Sequence, residues 1–169
     1  MTSSLIGLIS DTHNQWHNLQ KALEILRKEG VSLIFHCGDL TGPELAAYFN
    51  GLRVIHVTGN ADYASGEIQR ALLVQNPANF SGQWFSGEIE GKTIAAIHGN
   101  ETQALATLIQ SGKYAYVFHG HTHVRRDEWV NTTRIINPGA LGGVRREARS
   151  FALLDLATGN NRFVILEDD

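Results

Sequence analysis

Five short clusters in this sequence hold side chains that bind metal ions. They are Ser10-Asp11-Thr12-His13, His36-Cys37-Gly38-Asp39, Thr58-Gly59-Asn60-Ala61-Asp62, His98-Gly99-Asn100 and Gly120-His121-Thr122-His123. The donors among them are Asp11, His13, Asp39, Asn60, His98, His121 and His123. Seven donors exceed what one tetrahedral zinc accepts, so the set suits two ions sharing a carboxylate. Nitrogen and oxygen donors without a thiolate fit manganese, iron, cobalt, nickel or zinc. They fit neither a soft thiolate site nor an all-oxygen calcium cage. Two such ions ~3.5–4 Å apart clamp the attacking and leaving oxygens of an in-line phosphoryl displacement.

Each cluster follows a short apolar run of strand length: Leu5–Ile9, Leu33–Phe35, Val54–Val57, Thr93–Ile97 and Tyr114–Phe118. Ligands in open α/β sheets bind beyond the carboxyl ends of strands, so neighbouring strand ends would gather these side chains around one cleft. Three helices read between the strands. Gln15 to Glu29 carries Leu19, Leu23 and Leu26 at helical spacing, with Asn14 as cap and Gly30 as stop. Pro43 to Asn50 starts with a proline where the missing N–H costs little. Glu101 to Gln110 follows Asn100, which the pattern makes a cap with Gln103 in a capping box; Ser111-Gly112 closes it.

Alternation of strand and helix in the first half predicts βαβ units and a largely parallel sheet. The second half reads as antiparallel strands. Glu90-Gly91 turns a hairpin between Trp84–Ile89 and Lys92–Ile97. Arg125–Val130, Arg134–Ile136, Phe151–Leu156 and Arg162–Leu166 follow, the last two joined by Ala157-Thr158-Gly159-Asn160. The expected architecture is an α/β sandwich of two sheets with helices outside, and the 169 residues read as one domain, 1–169.

Composition narrows the function classes. Hydrophobic residues are 43% and charged residues 18%, enough apolar content to bury a core. Eight histidines stand beside one cysteine, which excludes an internal disulfide framework and a cysteine zinc finger. Lys and Arg total 14 against 17 Asp and Glu, and a net charge of −3 argues against a broad nucleic-acid surface. No apolar run approaches the ~20 residues that span a bilayer. The start of the chain lacks the basic stretch and cleavage site of a signal peptide, so a cytoplasmic location is expected, with no membrane partner.

Asp11-Thr12-His13, Gly38-Asp39-Leu40-Thr41-Gly42, Gly59-Asn60-Ala61-Asp62, His98-Gly99 and Gly120-His121-Thr122-His123 together resemble the ordered signature of calcineurin-like metallophosphoesterases. The spacing and size resemble the small YfcE-like phosphodiesterase group, as does Asn137-Pro138-Gly139-Ala140. Any one of these motifs arises easily by chance; all five in order are specific. The resemblance implies a four-layer α/β/β/α sandwich of two mixed sheets flanked by helices. It implies one metal on Asp11, His13, Asp39 and His123, and a second on Asp39, Asn60, His98 and His121, with Asp39 bridging. Two divalent transition-metal ions are expected, manganese foremost, with nickel, cobalt, iron or zinc as alternatives.

The activity so implied is dimetal-dependent hydrolysis of phosphate esters, foremost phosphodiesters. A metal-bridging hydroxide attacks phosphorus in line, with Asp39, Asn60 and His98 as the catalytic side chains. Asn60 also helps bind the substrate phosphoryl group. The alternative is a non-enzymatic metal-binding scaffold or protein-interaction subunit on the same fold, as a retromer subunit of the superfamily illustrates. Many members carry His after the Asn as general acid, and the small group often has Cys. Here that position is Ala61, which transfers no proton, so the general acid is unassigned.

Other polar residues receive lesser roles. Asp62 is expected to orient a ligand or its loop. His36 and His56 lie inside apolar strands and read as hydrogen-bonded core groups; His17 reads as surface, His119 as structural and Cys37 as a packed thiol. Among the arginines, Arg145 and Arg146 are expected to bind substrate, because their loop could border the cleft. The partner expected is a small phosphoester, and the apolar strands of the second half allow a homo-oligomer.

Overall fold

The computed structural model describes residues 3–168. Two mixed sheets carry the architecture. The first has the order β11-β10-β1-β2-β3-β4, built from β1 (Leu5–Ile9), β2 (Leu33–His36), β3 (Arg53–Val57), β4 (Phe80–Gly82), β10 (Ser150–Asp155) and β11 (Asn161–Ile165). β1, β2, β3 and β4 run parallel, while β10 is antiparallel to both β1 and β11. The second sheet has the order β5-β6-β7-β9-β8, from β5 (Trp84–Ile89), β6 (Lys92–Ile97), β7 (Tyr116–Phe118), β8 (Arg126–Val130) and β9 (Thr133–Asn137). Its centre is parallel and its edges are hairpins.

Side chains alternate along the central strands, and this alternation makes the layers. Ile6, Leu8, Leu33 and Phe35 face Ile94, Ala96, Phe118 and Ile136, so one core lies between the sheets. Ile9, Ile34 and Val54 point the other way, onto helix α1 (Trp16–Lys28), a 3-10 helix (Pro43–Phe49) and helix α2 (Ser65–Gln75). Ala95, Val117 and Ile135 pack under helix α3 (Thr102–Gln110). The result is the expected four-layer α/β/β/α sandwich. α1 is held by Leu19, Leu23 and Leu26, all fully buried, each worth ~1.5–3 kcal/mol of apolar transfer.

Several expectations need correction. Neither Asn14 nor Asn100 caps a helix. α1 and α3 begin after Gln15 and Glu101, and neither has a side-chain cap bond. Asn14 instead takes a left-handed φ of 60°, which the turn out of the β1 loop requires. The segment after Pro43 is 3-10 rather than α. The reading above leaves α2 and β4 unassigned. α2 buries only Ile68 and Leu72 while Leu73 and Val74 face solvent, which blurs its helical period, and β4 is three residues long.

Candidate metal centre

The carboxyl ends of β1, β2, β3, β6 and β7 meet at one rim of the sandwich, because parallel pairing within each sheet aligns them. The loops leaving these ends are laced together. Asp11 N–H donates to the Gly38 carbonyl at 2.9 Å, His13 N–H to the Asp39 carbonyl at 2.9 Å, and Gly120 N–H to the His98 carbonyl at 3.0 Å. Five of the expected ligands sit in the left-handed region: Asp11 (φ 52°), His13 (46°), Asp39 (58°), His121 (69°) and His123 (58°). For non-glycine residues this costs of order 1–3 kcal/mol each, and it persists only where surrounding structure enforces it.

Two groups of donors form. Asp11, His13 and His123 place one ligand atom each within 4.8 Å of one another, and Asp11, Asp39 and His98 do the same. Asp39 Oδ2 lies 3.4 Å from His13 Nε2 and 3.2 Å from His98 Nε2, between the two groups. Asp11 joins both groups, its Oδ1 being 3.2 Å from His123 Nε2 and 3.9 Å from His98 Nε2. Asn60 Oδ1 is 3.0 Å from His98 Nε2. His121 stands at the exposed rim, its ring centroid 5.1 Å from that of His98.

The hydrogen bonds show that these donors fit a cation. His98 Nδ1 donates to the Cys37 carbonyl at 2.7 Å, and His123 Nδ1 to the Val144 carbonyl at 2.6 Å. Each neutral imidazole therefore turns a lone pair on Nε2 inward. Asp11 Oδ2 is occupied by Ser10 Oγ at 2.6 Å and His121 N–H at 3.0 Å. Asp11 Oδ1 is buried with no hydrogen-bond partner among the described residues. Asp39 Oδ1 accepts from Ala61 N–H at 2.8 Å, which aims Oδ2 at the centre. A buried acceptor facing imidazole lone pairs is costly unless a metal ion or proton lies between.

Electrostatics agree. Burial alone would raise the Asp11 carboxyl, but the His123 and His13 imidazoles beside it and the charge of His98 hold it well below the usual carboxylate range. His98 is opposed by burial yet shifts upward through Asp39 and Asp11. His123 is raised chiefly by the Asp11 carboxylate 3.2 Å from its Nε2. His121 is lowered by burial and by His98. Cys37 is fully buried and its thiol is pushed up by burial, which makes it a packed thiol.

Supporting residues tie the ligand loops from behind. Asp62 Oδ2 accepts from Asp39 N–H at 2.9 Å and Gly59 N–H at 2.8 Å, and Oδ1 from Thr41 N–H at 2.7 Å. His56 Nε2 sits 3.3 Å from the same carboxylate. His36, its pKa lowered to about 3 by burial, accepts from Gly38 N–H at 3.2 Å and so donates to Thr12 Oγ1 at 2.9 Å. His119, lowered to about 4 by burial, accepts from Arg126 at 3.2 Å. His17 is exposed against Trp16. Arg149 donates to the carbonyls of Gly142 at 2.5 Å and Gly143 at 2.7 Å. That bond pair, absent from the expectations above, holds the loop that presents Val144 to His123; neither spacing nor motif signals it.

Gly143 has φ +66°, and a Cβ there would come 2.5 Å from His13 Cδ2, so the loop lies directly on the histidine pair. The expected substrate arginines follow it. Arg145 pairs with Asp168 at 3.0 Å, and Arg146 is exposed.

A family profile, the calcineurin-like phosphoesterase superfamily domain, matches residues 5–159. The chain is 33% identical over 164 residues to phosphodiesterase MJ0936 of Methanocaldococcus jannaschii, covering 96% of this chain and 99% of that one. It is 30% identical over 145 residues to a probable metallophosphoesterase of Methanothermobacter thermautotrophicus, covering 80% and 76%. Among solved structures, a novel archaeal phosphodiesterase superposes with a TM-score of 0.91 at 32% identity, covering 96% and 99%. Vps29 of Entamoeba histolytica, complexed with zinc, shares the fold at a TM-score of 0.67 and 20% identity, covering 96% and 98%.

Proposed function

This chain belongs to the calcineurin-like phosphoesterase superfamily and is a metal-dependent phosphoesterase, and from that premise we propose that it hydrolyses small phosphodiesters with two divalent transition-metal ions. Asp11, His13 and His123 would hold one ion; Asn60, His98 and His121 would hold the other, with Asp39 reaching both. Manganese is the foremost candidate, with nickel, cobalt, iron or zinc as alternatives. When bound, such ions would make water acidic enough to act as the nucleophile at neutral pH and would neutralise charge on the phosphoryl oxygens.

The chain's own side chains do the rest. His98 and His123 keep their inward nitrogens unprotonated because their other nitrogens are fixed on backbone carbonyls. The Asn60 amide orients a phosphoryl oxygen. Arg145 and Arg146, on the loop over His13 and His123, draw the anionic substrate in. Ala61 holds Asp39 through its backbone N–H but offers no acid, so the leaving oxygen departs as an anion or takes its proton from solvent. Residues 1–169 work as one domain in this reading, in the cytoplasm. No described helix is long and apolar enough to cross a membrane.

The observation that carries the reading is the unpartnered Asp11 Oδ1 among inward imidazole nitrogens. The test is turnover of bis(4-nitrophenyl) phosphate after chelation and reloading with Mn, Ni, Co, Zn or Mg. Expected is metal-restored turnover, lost with metal binding in Asp39→Ala. Two bound ions with no turnover by any metal would favour a metal-binding scaffold or interaction subunit, the reading that the shared fold of Vps29 keeps open.

A further inference from the structure

Beside Asn60 the metal centre opens into a cleft of about 480 Å³ at the seam between the two sheets. Its volume falls within the ~300–1,000 Å³ of small-molecule sites. Thr58, Gly59 and Asn60 form one wall, so the cleft continues directly from the candidate ligands. Trp84 forms another. In the β5–β6 ladder Trp84 stands opposite Ile97, the residue before His98. The pairing therefore fixes the indole next to a ligand loop, and 49% of its surface is open. A smaller cleft of about 250 Å³ shares Trp84, Ile97 and Ala104 and extends to Leu108 on α3. The indole thus borders two adjoining clefts.

The polar groups around the indole define what it would receive. Gln83 and Asn100 line the cleft, both exposed, and their amides make no hydrogen bond among the described residues. Each offers donors and an acceptor to a planar ring edge. Glu101 also lines the cleft and places a negative charge there, which disfavours a second anionic group. A second cleft of about 480 Å³, lined by Lys21, Glu24 and Ile165, includes none of the ligand residues.

We propose that the cleft beside Asn60 is the subsite for one organic arm of the diester. That arm is an uncharged heteroaromatic ring of the nucleobase class, stacked on Trp84 with its polar edge toward Gln83 and Asn100. The assignment rests on the phosphodiesterase reading above and adds the substrate class. A single nucleotide arm also agrees with the net charge of −3, which disfavours a long polyanion.

The test compares two diesters with the same leaving group and charge, thymidine 5′-(4-nitrophenyl phosphate) and methyl 4-nitrophenyl phosphate, on the manganese-loaded protein. The parent should prefer the nucleotide ester by at least about tenfold in kcat/KM, as stacking of one base allows. Trp84→Ala should collapse that ratio about tenfold through KM for the nucleotide ester, and Trp84→Phe should restore part of it. A parent without the preference, or a Trp84→Ala ratio within about twofold of the parent's, overturns the subsite. Should neither ester turn over, the phosphodiesterase reading fails, and the subsite is then judged by binding alone. Saturation transfer from the protein to the base protons of adenosine, lost in Trp84→Ala, supports it; no transfer in the parent overturns it.

Discussion

Asp11 Oδ1 and His123 Nε2 lie 3.2 Å apart, and in the neutral imidazole both present lone pairs, because His123 Nδ1 donates to the Val144 carbonyl. Something positive must lie between them. In the metal-free protein a proton serves, which is why His123 is raised by Asp11. A bound metal ion would replace it.

Metal binding should therefore release protons and strengthen with pH. His98 and His123 have folded pKa values raised above the ordinary 6.5. Their protonation stabilises the metal-free protein fully below that ordinary value, and the contribution is lost as pH rises through the raised values. Stabilisation by metal should grow over the same interval. An ion at 100 times its Kd adds about 2.7 kcal/mol, and Tm moves by roughly 2–4 °C per kcal/mol at this size. Thermal melts with manganese at pH 6 and pH 8 should show the larger upward shift at pH 8. Asp11→Asn should abolish most of it. An equal shift at both pH values would contradict proton–metal exchange.

Asp62 is the knot between the Asp39 and Asn60 loops. Asp62→Ala leaves three backbone N–H groups, of Asp39, Thr41 and Gly59, without their acceptor. One unsatisfied buried donor costs about 1–3 kcal/mol. The variant should lose at least about 2 kcal/mol in denaturant unfolding. It should also bind metal about 10–100-fold more weakly, since its loops no longer hold the ligands in place. A variant that unfolds like the parent and binds metal equally would remove the positioning role.

Much of this centre was legible because it depends on strand ends. A run such as Leu5–Ile9 has one place to stop, and the residues after it, Asp11 and His13, must then emerge at the sheet's carboxyl edge. The motifs thus marked both the elements and the chemistry. The Asp62 knot was half visible, since Asp62 follows Asn60 closely, whereas its partner His56 is an ordinary strand residue until the fold turns it toward the carboxylate. Ligand conformation was not legible: Asp and His tolerate a positive φ better than most residues, but nothing in the sequence says that Asp11, Asp39 and His123 are the ones to adopt it. Nor was α2, whose two buried residues make too narrow a stripe.

Ala61 makes a prediction about leaving groups. Without a positioned acid, hydrolysis should slow steeply as the leaving alcohol becomes more basic, so aryl esters should be cleaved far faster than alkyl esters. A general acid contributes roughly 10²–10⁴-fold. Ala61→His should recover part of that on alkyl esters while changing aryl ester rates little. The measurement is kcat/KM across substituted phenyl and alkyl diesters. A parent profile that is already flat would mean that another group protonates the leaving oxygen.

Arg149 should matter to one half of the centre more than the other. Its guanidinium holds the carbonyls of Gly142 and Gly143, and the next residue, Val144, receives the His123 Nδ1 proton. His98 is fixed separately, on the Cys37 carbonyl, and makes no hydrogen bond to this loop among the described residues. Arg149→Lys keeps the charge but cannot make both bonds from one planar fork. It should loosen the loop and free the His123 ring to turn. Calorimetric titration should then show one ion bound about 10–100-fold more weakly, the scale of losing an outer hydrogen bond to a ligand, and the other nearly as in the parent. Equal weakening of both ions would place the effect on the fold as a whole, and no weakening would mean that His123 is held without its loop.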